Sequence, residues 1–112
     1  MKKLAAVLIV VALAGAATAY AEQWTNVALV DHHCLNKVKA DPDAHPASCL
    51  IQCAKSGYGI LTTDGTWLKF DQAGNEKALA ALKATAKKDH IRVNVTGELK
   101  NGTLDVTQLT IQ

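Results

Sequence analysis

Two dipeptides, Asp64-Gly65 and Asn101-Gly102, each stand between runs of alternating apolar residues and so commit the chain to two β-hairpins. Asn-Gly and Asp-Gly favour turns whose backbone twist matches that of the strands they join. Around the first, Tyr58, Ile60 and Thr62 are followed by Trp67, Lys69 and Phe70, so residues 58–70 read as one hairpin on a tight turn. Around the second, residues 90–99 alternate through Ile91, Val93 and Val95, and residues 103–111 through Leu104, Val106 and Leu109.

The other elements arrange themselves about these hairpins. Residues 23–30 alternate imperfectly, with Trp24, Val27 and Leu29, and read as a first strand ending at Asp31. The stretch 32–45 is polar and irregular, and its Asp41-Pro42-Asp43 starts a turn because Pro fixes φ and Asp bonds its own backbone. Pro46 suits the first turn of a helix and Gly57 its end, which predicts a short helix over 46–56. Between the hairpins, Gly74 and Asn75 open a second, Ala-rich helix with Leu79, Leu82 and Ala86 on its apolar face. The order is strand, helix, two strands, helix, two strands. Five strands with a helix between the third and fourth is the order of an OB-like barrel, a mainly β, α+β fold, with the first helix inserted between strands 1 and 2. An open antiparallel sheet carrying two helices shares this order and is the rival architecture.

The start of the chain supplies an address. Lys2 and Lys3 form a positive region, residues 4–14 an apolar one, and Ala19-Tyr20-Ala21 a small-residue cleavage site. Residues 1–21 therefore read as a secretory signal peptide cleaved after Ala21, leaving one OB-like domain over 22–112 that is periplasmic or secreted. The apolar run is shorter than the ~20 residues that span a hydrocarbon core, and no later stretch approaches that length, so no stable membrane insertion is expected after cleavage. Loss of Lys2 and Lys3 leaves ten basic residues against ten acidic ones and a formal charge of zero. A neutral domain lacks the clustered Lys and Arg that nucleic acids and anionic lipids require. Trp24, Tyr58, Trp67 and Phe70 are accordingly read as core residues and not as a base-stacking platform. The sequons at Asn94 and Asn101 carry no further meaning in a bacterial-looking chain, and the second is explained by its turn.

Chemistry is concentrated in one segment. Asp31, His32, His33, Cys34, His45, Cys49 and Cys53 lie within it, and His90 is the only histidine elsewhere. On a helix Cys49 and Cys53 share a face, with His45 one turn earlier, and Cys34 at the end of the first strand can fold back to complete the set. Three thiolates and one imidazole, Cys34, His45, Cys49 and Cys53, match a tetrahedral zinc site, and the same donors hold copper as Cu(I). The C-x10-H-x3-C-x3-C spacing differs from the usual two-residue zinc knuckles. The alternative is a disulfide from Cys34 to Cys49 or Cys53, since export favours the bridge, with the odd cysteine left as a thiol or linked to a partner. A bridge between Cys49 and Cys53 within one helix is strained. Thiol redox catalysis is a weaker third reading, because the spacing is C-x3-C and Cys53 falls deep in the expected helix. Covalent haem lacks its C-x-x-C-H signature. His32 and His33 point opposite ways on an extended segment and read as exposed loop histidines. No phosphate loop, paired carboxylates or Ser-His-Asp set stands out, so the chain does not read as an enzyme. Its expected partner is a small ligand or a protein.

The stretch HPASCLIQCAKSGYGILTTDGTWLKFD, preceded by Asp-x-x-Cys at Asp31 to Cys34, resembles a family of small exported bacterial domains. That family carries a histidine-containing loop, a C-x3-C helix, Ser-Gly-Tyr-Gly and an Asp-Gly hairpin, and the likeness extends through GELKNGTLDVTQL. The resemblance implies an OB-like domain of a kind that mostly binds rather than catalyses. It also implies the grouping of Cys34, His45, Cys49 and Cys53, and it supplies no reaction.

Overall fold

A computed structural model describes residues 21–112. The expected signal peptide, apart from Ala21, lies outside the described residues. Five strands, β1 (Glu22–Asp31), β2 (Tyr58–Leu61), β3 (Trp67–Phe70), β4 (Arg92–Lys100) and β5 (Thr103–Ile111), close into a barrel in the order β1-β2-β3-β5-β4. Closure rests on two non-local pairings, antiparallel β1 with β4 and parallel β3 with β5. The OB-like barrel is thus the architecture, and the open sheet is excluded.

Both hairpins form where their turn residues stand. Asn101 and Gly102 take φ of 50° and 81°, the left-handed pair that a two-residue turn between β4 and β5 demands. The first hairpin has a longer loop than a tight turn: Thr62 N donates to Thr66 O at 2.9 Å, leaving three residues between them. Inward residues of all five strands make one core, in which Leu29, Ile60, Val93, Val95 and Leu104 are essentially inaccessible.

Among the described residues three α-helices join the strands: α1 (Leu35–Val38), α2 (Ala47–Gln52) and α3 (Gln72–Ala84). The insertion between β1 and β2 is more ordered than its polar sequence implies, since it holds α1 and a 3-10 turn over Pro42–Ala44 before α2. It lies against the outside of the barrel, where Ala28, Val30 and Leu61 pack with Leu35 in a second, smaller core. This explains why Val27–Val30 is continuously apolar: one face of β1 fills the barrel, the other is covered by the insertion. Three long-range links tie the insertion to the α3–β4 connection. Ala47 N donates to Lys88 O, His90 N to Asp43 O, and the Arg92 guanidinium grips the Asp43 carboxylate with contacts of 2.9 and 3.1 Å.

Three helix boundaries depart from expectation. α3 starts at Gln72, because Asp71 is its N-cap and accepts from Gly74 N at 2.9 Å, so Gly74 lies inside the first turn. It ends at Ala84, which leaves Ala86 outside; Ala78 and Leu82 are its buried face. α2 ends at Gln52 and not near 56: Cys53 is its C-cap, and Ala54–Ser56 continues as a 3-10 turn to Gly57, whose φ is 89°.

Candidate functional site

The site is built where β1 runs out. Asp31, its last residue, is fully buried, and both carboxylate oxygens are engaged. Oδ1 accepts from His45 Nε2 at 2.8 Å, and Oδ2 accepts from Cys34 N at 2.9 Å. The second bond folds the chain into a tight turn over 31–34 and aims it into α1. His45, 7% exposed, reaches this carboxylate from the end of the Pro42–Ala44 turn. A buried charge needs such partners, and no buried side-chain polar atom among the described residues lacks one.

A second set of bonds brings in Cys53. His32 N donates to Gly57 O at 2.9 Å, and His33 N donates to Ser56 Oγ at 3.1 Å. The Ser56 hydroxyl donates in turn to Cys53 O at 2.8 Å. Ser56 therefore couples the turn carrying His33 and Cys34 to the residue that ends α2. From below, Tyr58 Oη donates to Leu50 O at 2.6 Å and anchors α2 to β2. Burial, and then the charges of Asp31 and Cys53, push the Tyr58 phenol up to about 12, so it stays a neutral donor.

Two groups of potential ligand atoms result, each with its atoms within 4.8 Å of one another: His33, Cys34 and Cys53, and Asp31, Cys34 and His45. Cys34 belongs to both. Its thiol is pushed above the ordinary value, first by burial and then by the Asp31 carboxylate and the Cys53 side chain. Such a thiol is a poor nucleophile at neutral pH. Its sulfur lies within 4.8 Å of that of Cys53, and all three cysteines are free thiols.

Of the residues expected from sequence, Cys34 stands beside both His45 and Cys53, one in each group. Cys49, half-buried on α2, belongs to neither group. Cys53, at φ −97° and ψ 22°, is the C-cap of α2, and its N–H still donates to Cys49 O at 3.1 Å. Cys53 is thus not deep in a helix but at its exit. Comparisons with known proteins place nothing beside this arrangement. No known family, curated protein or solved structure matches the chain.

Asp31 and His33 are the members outside the expected set of Cys34, His45, Cys49 and Cys53. The signal for Asp31 was the Asp-x-x-Cys spacing, which lets a carboxylate accept from the backbone three residues on, as at an N-cap. The two adjacent histidines lie in the 31–34 turn and not on the extended segment expected from sequence, and both are exposed. His33 joins Cys34 and Cys53, whereas His32 stacks on Trp67 with ring centroids 6.2 Å apart and planes inclined by 25°. Tyr58 and Phe70 are core residues; Trp24 and Trp67 are half-buried at its edge.

The donor chemistry is mixed. Two sulfurs and an imidazole on the solvent side suit a soft ion, and a carboxylate, an imidazole and the shared sulfur on the buried side suit a borderline one.

Proposed function

We propose that the chain is an exported binding module, periplasmic or secreted, that holds one zinc or copper ion through Cys34. Cys53 and His45, expected as ligands from the sequence, each share a group with it, with His33 and Asp31 as additional donors. The observation that carries this reading is the position of Cys34, whose sulfur lies within 4.8 Å of potential ligand atoms on four other residues in two groups. Metal-free thiol catalysis fits less well, since the half-buried Cys34 thiol beside the Asp31 carboxylate is pushed above its ordinary value, which disfavours the thiolate. When bound, a metal would displace the thiol protons and couple the β1–α1 turn to the end of α2.

Protein purified under reducing, chelator-free conditions is expected to carry about one zinc or copper per chain. Elemental analysis and thiol titration on the same sample test this. Three titratable thiols with no metal, before and after incubation with zinc or Cu(I), would end the proposal.

A second reading has its own support in the nearness of Cys34 and Cys53, whose sulfurs lie within 4.8 Å of one another, for a disulfide that staples the insertion in a protein-interaction module. Non-reducing mass spectrometry then shows one bridge between these two residues and a thiol at Cys49.

A further inference from the structure

We infer that Cys34 serves two distinct seats with different ion preference: an outer seat of His33, Cys34 and Cys53 for a monovalent soft ion such as Cu(I), and an inner seat of Asp31, Cys34 and His45 for a divalent ion such as zinc. This rests on the metal-binding reading of the site and gives the class of ion each side takes.

Charge and softness separate the two. In the inner seat Asp31 is fully buried and His45 nearly so. One thiolate, one carboxylate and a neutral imidazole carry two negative charges, which a divalent ion cancels and a monovalent ion leaves half uncancelled in a buried place. The carboxylate and imidazole already face one another across 2.8 Å in a hydrogen bond, a contact that an ion between them replaces. Binding there releases the Cys34 thiol proton, while the imidazole proton moves to the other ring nitrogen. Three protein donors leave a position for water, as in open zinc sites.

The outer seat has no carboxylate. Its two thiolates and one imidazole are the donors a three-coordinate d10 monovalent ion prefers, and the residual negative charge faces solvent, because His33 is exposed and both cysteines are partly so. Binding there releases two thiol protons. Since Cys34 has one thiolate to give, filling either seat competes with the other.

The test uses reduced protein with Co(II) as the spectroscopic probe for zinc and Ag(I) as the air-stable probe for Cu(I). Cys53→Ser and His33→Ala are expected to weaken Ag(I) binding about 100-fold, since loss of even an outer-shell partner costs about 10–100-fold. The visible Co(II) bands and Co(II) affinity should stay unchanged in both. His45→Gln and Asp31→Asn should do the reverse, and Ag(I) should bleach the Co(II) spectrum of the wild type. Because the last two variants alter buried groups, circular dichroism accompanies them, and if either fails to fold the decision rests on Cys53→Ser and His33→Ala. Equal loss of both ions in Cys53→Ser would show one mixed seat and overturn the two-seat assignment while leaving the metal reading standing. Uptake of neither ion by the wild type, or full uptake of both by Cys34→Ser, would overturn the metal reading itself.

Discussion

At the scale of single residues, the site depends on small polar groups that aim the sulfurs. Ser56 is the clearest, because its hydroxyl is both acceptor for His33 N and donor to Cys53 O. Ser56→Ala is expected to weaken metal binding by about 10-fold, as for loss of an outer-shell partner, while the thermal midpoint stays near that of the wild type. A chelator competition with calorimetry on the same variant checks both. Tyr58 acts differently, since its hydroxyl satisfies a buried carbonyl of α2. Tyr58→Phe leaves Leu50 O without a partner and should cost about 1–3 kcal/mol in a urea titration. The sequence announced the sulfur and imidazole donors of this site through their clustering. It did not announce the role of Asp31, because a carboxylate at the end of a strand looks like a solvated boundary until the insertion folds over and buries it.

At the scale of elements, local chemistry was the more legible part. Asn101-Gly102 carries its own turn geometry, so the β4–β5 hairpin could be read from four or five residues. The ends of α2 and α3 were less legible. Asp71 caps α3 by accepting from Gly74 N, and the same oxygen accepts from Val106 N at 3.2 Å, a contact with β5 that no local pattern shows. Asp71→Ala therefore removes a helix cap and a tie to the barrel together, and should destabilise the fold by about 2 kcal/mol in chemical denaturation. The insertion has its own clamp in the Asp43–Arg92 pair, whose side chains are 28% and 34% exposed. Hydrogen bonds from Arg92 hold the Asp43 carboxyl below its usual range, against the opposing effect of burial. A depressed carboxylate contributes stability that is present above its unfolded value near ~3.9 and is lost as pH falls through the folded value. Arg92→Ala should accordingly cost about 1 kcal/mol at neutral pH, a modest figure because solvent screens the pair. Its deficit against the wild type should begin to shrink below about pH 4 and be lost as pH falls through the lowered folded value of Asp43. Denaturation series at pH 7 and pH 3 measure the two differences.

At the scale of the whole molecule, closing the barrel is what makes the site. Element order alone fitted an open sheet as well, because the pairings β1 with β4 and β3 with β5 join residues far apart in sequence. Once β1 is locked between β2 and β4, its last residue, Asp31, is fixed opposite Tyr58. The insertion must then return over the outer face to reach β2, which carries His45 and Cys53 back past Cys34. The chain thereby gathers donors from a strand end, a turn and a helix exit around one sulfur. X-ray absorption at the metal edge of protein loaded with one equivalent of zinc or Cu(I) tests this claim most directly. Sulfur scattering at about 2.3 Å together with an imidazole shell, both reduced in Cys34→Ser, is the predicted result. A first shell of oxygen and nitrogen alone, identical in the wild type and Cys34→Ser, would contradict it.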